Sequence, residues 1–135
     1  MSVRWYSTVF DCRDVVAQAH WWAQLLDWRV TEESAEGAVV APPADGGADP
    51  SGSAGTGARG SGPRLVFVPV PERKTVKNRL HLDLAPPPGS DRAAEVERLL
   101  GLGARRVDLG QVDPDVDVFA DPEGNEFCLL SEEYG

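Results

Sequence analysis

Apolar and polar positions change their period several times along this chain, and each change marks an element. Residues 4–11 are rich in aromatic and β-branched side chains, the composition of a strand, with Trp5, Ser7, Val9 and Asp11 on one face. The period then lengthens. Val15, Val16, Ala19, Trp22, Ala23 and Leu26 recur at helical spacing, which predicts a helix with Asp14 as its N-cap and with Trp21, Leu25 and Trp28 widening the buried stripe. Two short strands follow at 28–32 and 37–41, joined by a turn at 34–37, and a third covers 64–70, ended or confined to an edge by Pro69 and Pro71. Over 79–84 leucine alternates with Arg79, His81 and Asp83 without a break, the clearest half-buried strand in the chain, with its leucines toward the core. Pro86 to Gly89 ends it. Ser90 is the expected cap of a second amphipathic helix carrying Ala93, Val96, Leu99, Leu100 and Leu102, which Gly101 and Gly103 close. After a short strand at 105–109, residues 115–130 read as an antiparallel hairpin about the turn Asp121-Pro122-Glu123-Gly124-Asn125. On its second strand Phe127 and Leu129 point one way and Glu126, Cys128 and Leu130 the other.

The order strand, helix, three strands therefore occurs twice, in modules 4–70 and 79–130 of a single domain spanning 1–135. A helix that follows the first strand covers one side of its sheet, so the opposite faces are expected to curve around a cleft. Residues 42–63 interrupt the first module with half of the chain's fourteen glycines, four prolines and no large apolar residue; the segment reads as a flexible, inert insertion. Residues 72–78 form a polar linker with Arg73, Lys74 and Lys77, read as a solvated loop.

Composition narrows the function classes. A net charge of −9 argues against nucleic acid and anionic membranes as partners. No basic start followed by an apolar run suggests a secretory signal, and no run approaches the length of a membrane span. Cys12 and Cys128 do not form a disulfide framework, so a cytoplasmic protein with reduced thiols is the expectation, and the Ala/Gly/Arg-rich composition fits a bacterial one.

Four features carry a resemblance. Asp11-Cys12-Arg13-Asp14 opens the first helix; Trp21-Trp22-Ala23-Gln24-Leu25-Leu26-Asp27-Trp28 is similar to an aromatic-Trp-x-x-Leu-Leu-Gly-Trp signature; Asn78 to Leu84 and Asp121 to Glu126 complete the set. Taken in order, they resemble the vicinal oxygen chelate superfamily of glyoxalase I, extradiol dioxygenases and bleomycin-resistance proteins, and within it the small glyoxalase-like domains. The resemblance implies an α+β fold: two βαβββ modules forming a curved mixed sheet around a cleft. Asp27 stands where the family has Gly, so it is expected to accept a left-handed conformation.

The family's metalloenzymes hold a divalent ion with a His, Gln or Glu on the first strand of each module and a Glu or equivalent on the last strands. Registering this chain on that pattern puts Ser7 and His81 at the first-strand positions and Cys128 at the Glu position, with Glu126 two residues earlier and no ligand in Val66-Phe67-Val68. His81 and Cys128 alone fall short of the three or four ligands zinc uses, so no metal or other cofactor is expected. The candidate substrate-binding set is Trp5, Ser7, Phe67, His81 and Cys128. The leading expectation is a metal-independent small-molecule binding protein of the bleomycin-resistance kind, with a homodimer as a compatible assembly. The alternatives are a lyase or other enzyme on a small oxygenated substrate, with His81 as catalytic acid or base oriented by Asp83 or Glu126, and an interaction module whose cavity its own side chains fill.

Overall fold

The structure, a computed structural model, describes residues 2–43, 63–108 and 116–131. The chain divides into two compact units, Met1–Glu72 and Arg73–Gly135. Each runs strand, helix and three strands and carries one four-stranded mixed sheet, so the repeat read from the sequence is present. Among the described residues no helix is long and apolar enough to cross a membrane.

The first unit comprises β1 (Thr8–Cys12), α1 (Val15–Leu26), β2 (Arg29–Ser34), β3 (Gly37–Ala41) and β4 (Leu65–Pro69), with sheet order β1-β4-β3-β2. β1 lies parallel to β4, and the other pairs are antiparallel. Asp14 caps α1 as expected, its Oδ1 accepting from the Ala17 amide at 3.1 Å. The helix ends at Asp27, which adopts the left-handed conformation (φ 57°, ψ 43°) expected of a residue standing in for Gly. Trp22 is buried and meets Phe10 edge-on at 5.3 Å, while Phe10 lies 4.9 Å from Phe67. Gln18 is buried in the same helix, a polar position that the apolar stripe does not include. Residues 44–62, the bulk of the segment read as an insertion, lie outside the described residues.

The second unit comprises β5 (Leu82–Leu84), α2 (Arg92–Gly101), β6 (Arg105–Arg106), β7 (Asp117–Ala120) and β8 (Glu126–Leu129), with sheet order β5-β8-β7-β6. Phe119 and Phe127 stack at 5.9 Å in its core, beside the buried Val96, Leu99 and Leu129. Arg92 ties the start of α2 to the sheet: its guanidinium donates to the Leu129 and Leu130 carbonyls at 3.2 Å and pairs with Asp117 at 3.1 Å. Two local expectations need correction. Asp91, not Ser90, caps α2, accepting from the Ala93 amide, while the Ser90 hydroxyl donates to the Pro87 carbonyl. The strand read over 79–84 pairs only from Leu82, and Leu80, expected in the core, is 89% exposed.

The hairpin turn is organised by Asp121, which is completely buried. Its Oδ1 accepts from the Glu123 and Asn125 amides at 2.9 Å, and its Oδ2 from the Asn125 side chain at 3.1 Å. Gly124 completes the reversal at φ 94°, a conformation that favours glycine.

Candidate functional site

β5 and β8 run parallel in the register Leu82↔Phe127, Asp83↔Cys128, Leu84↔Leu129. Side chains alternate along each strand, so Asp83 and Cys128 project from the same face as direct cross-strand neighbours. His81 precedes β5 by one residue and reaches the same place: its Nε2 lies 3.2 Å from Asp83 Oδ1. One ligand-type atom from each of His81, Asp83 and Cys128 falls within 4.8 Å of the others. The imidazole and carboxylate side chains are about half exposed, 44% and 52%, whereas Cys128 is buried. Burial pushes the Cys128 thiol up, and the Asp83 carboxylate pushes it the same way by its charge and by accepting a hydrogen bond from it, against a smaller opposing effect of Lys77. A thiol held protonated in this way is a poor nucleophile near neutral pH.

Glu126, two residues earlier on β8, is occupied differently. Its carboxylate pairs with Lys74 and accepts from the Asn78 amide at 2.7 Å, while the Asn78 side chain donates to the Glu126 carbonyl at 3.1 Å. Burial alone would push this carboxyl up, but the bonds from Lys74 and Asn78 and the charges of Lys74 and Lys77 outweigh it and hold it low. Glu126 therefore fastens the polar stretch before β5 to the sheet and is not the group that orients His81. The carboxylate that stands beside His81 is Asp83.

In the first unit the expected residues are not gathered on one face. Phe67 pairs with Phe10 in the β1–β4 register and packs on it, completely buried on the side where α1 lies, so it is a core residue and not a ligand contact. Trp5 and Ser7 precede β1. Trp5 is 70% exposed with its Nε1 donating to the Ser7 carbonyl at 3.1 Å, and Ser7 is half-buried.

The divalent metal that the family resemblance implies can be tested against these side chains. An ion held by donors from both modules does not fit, because the first-unit positions offer only the Ser7 hydroxyl and the apolar run Val66-Phe67-Val68. In the second unit the donors differ in kind: an imidazole nitrogen, a carboxylate oxygen and a thiol. That set is poor for Mg²⁺ or Ca²⁺, which take all-oxygen shells, and matches zinc in both type and number. Asp83 is the member missing from the ligand set that the sequence suggested. Its place on the His81 face was visible from alternation, but its alignment with Cys128 depends on the β5–β8 register.

The profile of the glyoxalase-like domain matches residues 7–130 of the chain. Among curated proteins no sequence match is found. Several solved structures share the fold. The oxidase ChaP-H2 superposes with a TM-score of 0.60 at 17% identity, covering 97% of this chain and 94% of its own. The fosfomycin resistance protein FosX from Mesorhizobium loti gives 0.62 at 13% identity, covering 97% and 92%. Glyoxalase I of Leishmania major gives 0.57 at 13% identity, covering 98% and 89%.

Proposed function

Because the chain belongs to the glyoxalase-like domain family of the vicinal oxygen chelate superfamily, we propose that it binds a small oxygenated molecule on the β5–β8 face of its second unit. The observation that carries this reading is the half-exposed His81–Asp83 pair standing beside the buried Cys128. The imidazole and carboxylate offer a donor and acceptors to hydroxyl and carbonyl groups, the polar contacts by which small-molecule sites fix a ligand's orientation. The two side chains are open to solvent and so within reach of a ligand.

A second reading, an enzyme with His81 as acid or base, draws on a specific contact. Asp83 Oδ1, 3.2 Å from His81 Nε2, is placed to orient the ring, as a carboxylate partner does for a catalytic histidine. The test is a thermal-shift screen of small molecules bearing vicinal oxygens, together with cationic and aromatic compounds, on the wild-type chain and on His81→Ala. The expected result is a ligand that raises the melting temperature of the wild type and leaves the variant unmoved. A ligand that stabilises both equally would remove His81 from the site. Turnover of that ligand by the wild type alone would select the enzyme reading over simple binding.

A further inference from the structure

We propose that Arg4, Tyr6 and Arg64 form a receptor for a doubly charged small oxyanion, such as a phosphate monoester, at the end of the first unit where β1 and β4 begin. The proposal goes beyond the binding reading above and uses no residue of the β5–β8 face.

Strand register brings the three residues together. β1 and β4 run parallel with Thr8 opposite Leu65, and the Thr8 amide donates to the Arg64 carbonyl at 3.1 Å. Arg64 therefore stands beside the segment that leads into β1. That segment is itself tied down, because Trp5 Nε1 donates to the Ser7 carbonyl at 3.1 Å. The half-exposed Tyr6 ring lies between the two arginines in the sequence of contacts: the guanidinium carbon of Arg64 is 4.6 Å from its centre and that of Arg4 is 6.0 Å away. Both distances fall within the range of cation–π attraction.

Arg64 is the member whose charge calls for an anion. Its Nε is buried without a hydrogen-bond acceptor, and among the described residues no carboxylate pairs with its guanidinium. Arg29, Arg79 and Arg105 are exposed, so water solvates their charge, whereas Arg64 is half-buried and has lost part of that hydration. The ring attracts the cation but offers none of the oxygen lone pairs that a guanidinium binds best. Its terminal nitrogens are not among the buried unpaired atoms, so a ligand can approach them from solvent. The planar fork of donors matches a phosphate or carboxylate in two-point contact. Two guanidiniums drawn to one ring also repel each other, and an anion placed between them relieves that repulsion. A pair of cations favours a ligand with close to two negative charges, which a phosphate monoester carries near neutral pH. The chain's net charge of −9 opposes such a ligand only at long range, where salt screens it.

The test is an NMR titration of the isotope-labelled full chain with inorganic phosphate at constant ionic strength, with acetate as the singly charged comparison. Two signals are followed: the Arg64 Nε–Hε resonance, and the Thr8 amide, which is bonded to the Arg64 carbonyl and reports on the variants as well. The expected result is a saturable shift of both by phosphate and weaker binding of acetate. Arg64→Gln should weaken phosphate binding about tenfold or more, the loss expected of a charge-assisted contact. Arg4→Gln and Tyr6→Leu should each weaken it about threefold, and Tyr6→Phe should leave it unchanged because the ring alone holds the guanidinium. Arg79→Gln alters the net charge equally and should have no effect. Absence of a saturable shift on the wild type, or equal losses in Arg79→Gln and Arg64→Gln, overturns the proposal. Phosphate held no more tightly than acetate overturns the choice of a doubly charged ligand. Loss of the effect in His81→Ala would assign the ion to the β5–β8 face and overturn the site. Should Arg64→Gln fail to fold by circular dichroism, Arg4→Gln and Tyr6→Leu decide the matter, and wild-type affinity in both overturns it.

Discussion

Asp121 does more for the fold than its position in a turn announces. Both of its carboxylate oxygens are used, on two backbone amides and one side-chain amide, and none of it reaches solvent. Replacing it with Ala leaves those donors without a partner in a buried turn, and each such loss carries the desolvation cost of the stranded group. Asp121→Ala is therefore expected to lower the unfolding free energy by about 3 kcal/mol, measured by urea denaturation. A change within the range of ordinary surface substitutions would show that water or a relaxed turn satisfies the donors. The turn itself was legible, because Pro122, Gly124 and Asn125 announce a reversal by their backbone preferences. Its buried carboxylate was not, since nothing in local composition distinguishes an Asp that faces solvent from one that folds back on the amides after it. The same limit hid Gln18, a polar residue buried on the apolar side of α1.

At the scale of elements, the polar stretch before β5 shows what a pattern of leucines leaves out. Residues 79–84 alternate like a strand, yet pairing starts only at Leu82. The reason lies on the partner: the Glu126 carbonyl, at the start of β8, accepts from the Asn78 side chain, and the Glu126 carboxylate is taken by Asn78 and Lys74. The linker read as a solvated loop is thus a strap fastened to β8, and it carries Leu80 out to solvent. The strap has a pH signature. The folded-state pKa of Glu126 lies below its ordinary value of 4.5, so the carboxylate contributes stability that is fully present above that value. That contribution is lost as the pH falls below 4.5 and through the lower folded value, where the carboxyl takes up a proton and weakens its bonds to Lys74 and Asn78. Lys74→Met, which removes the partner of a mostly buried carboxylate, is expected to cost roughly 2 kcal/mol at neutral pH. The same variant should flatten the acid limb of the stability profile, measured by denaturant unfolding across that range. An acid limb identical in wild type and variant would mean that other carboxylates set it.

For the whole molecule, the twofold βαβββ order was legible because each helix changes the hydrophobic period of its module and Gly and Pro punctuate the elements from β3 onward. The site was legible only in part. Alternation put His81 on one face with Asp83, and Cys128 on one face with Glu126, but which residue of β5 stands opposite Cys128 is settled by strand register, and that is how Asp83 joins them. The segment between β3 and β4 offers a test at this scale. Val40 pairs with Leu65, so the strands that the segment joins are antiparallel neighbours that a short turn can connect. Closing a loop costs entropy that grows with the logarithm of its length, so replacing residues 44–62 with a turn of about four residues should raise the unfolding free energy by about 1 kcal/mol. His81, Asp83 and Cys128 all belong to the unit Arg73–Gly135, so the His81-dependent ligand shift should not change. The shift is measured on the shortened chain beside its urea unfolding curve. Retained stability with loss of the ligand shift would make the segment a working part of the binding site. Retention of both would establish it as an insertion that the binding face does not use.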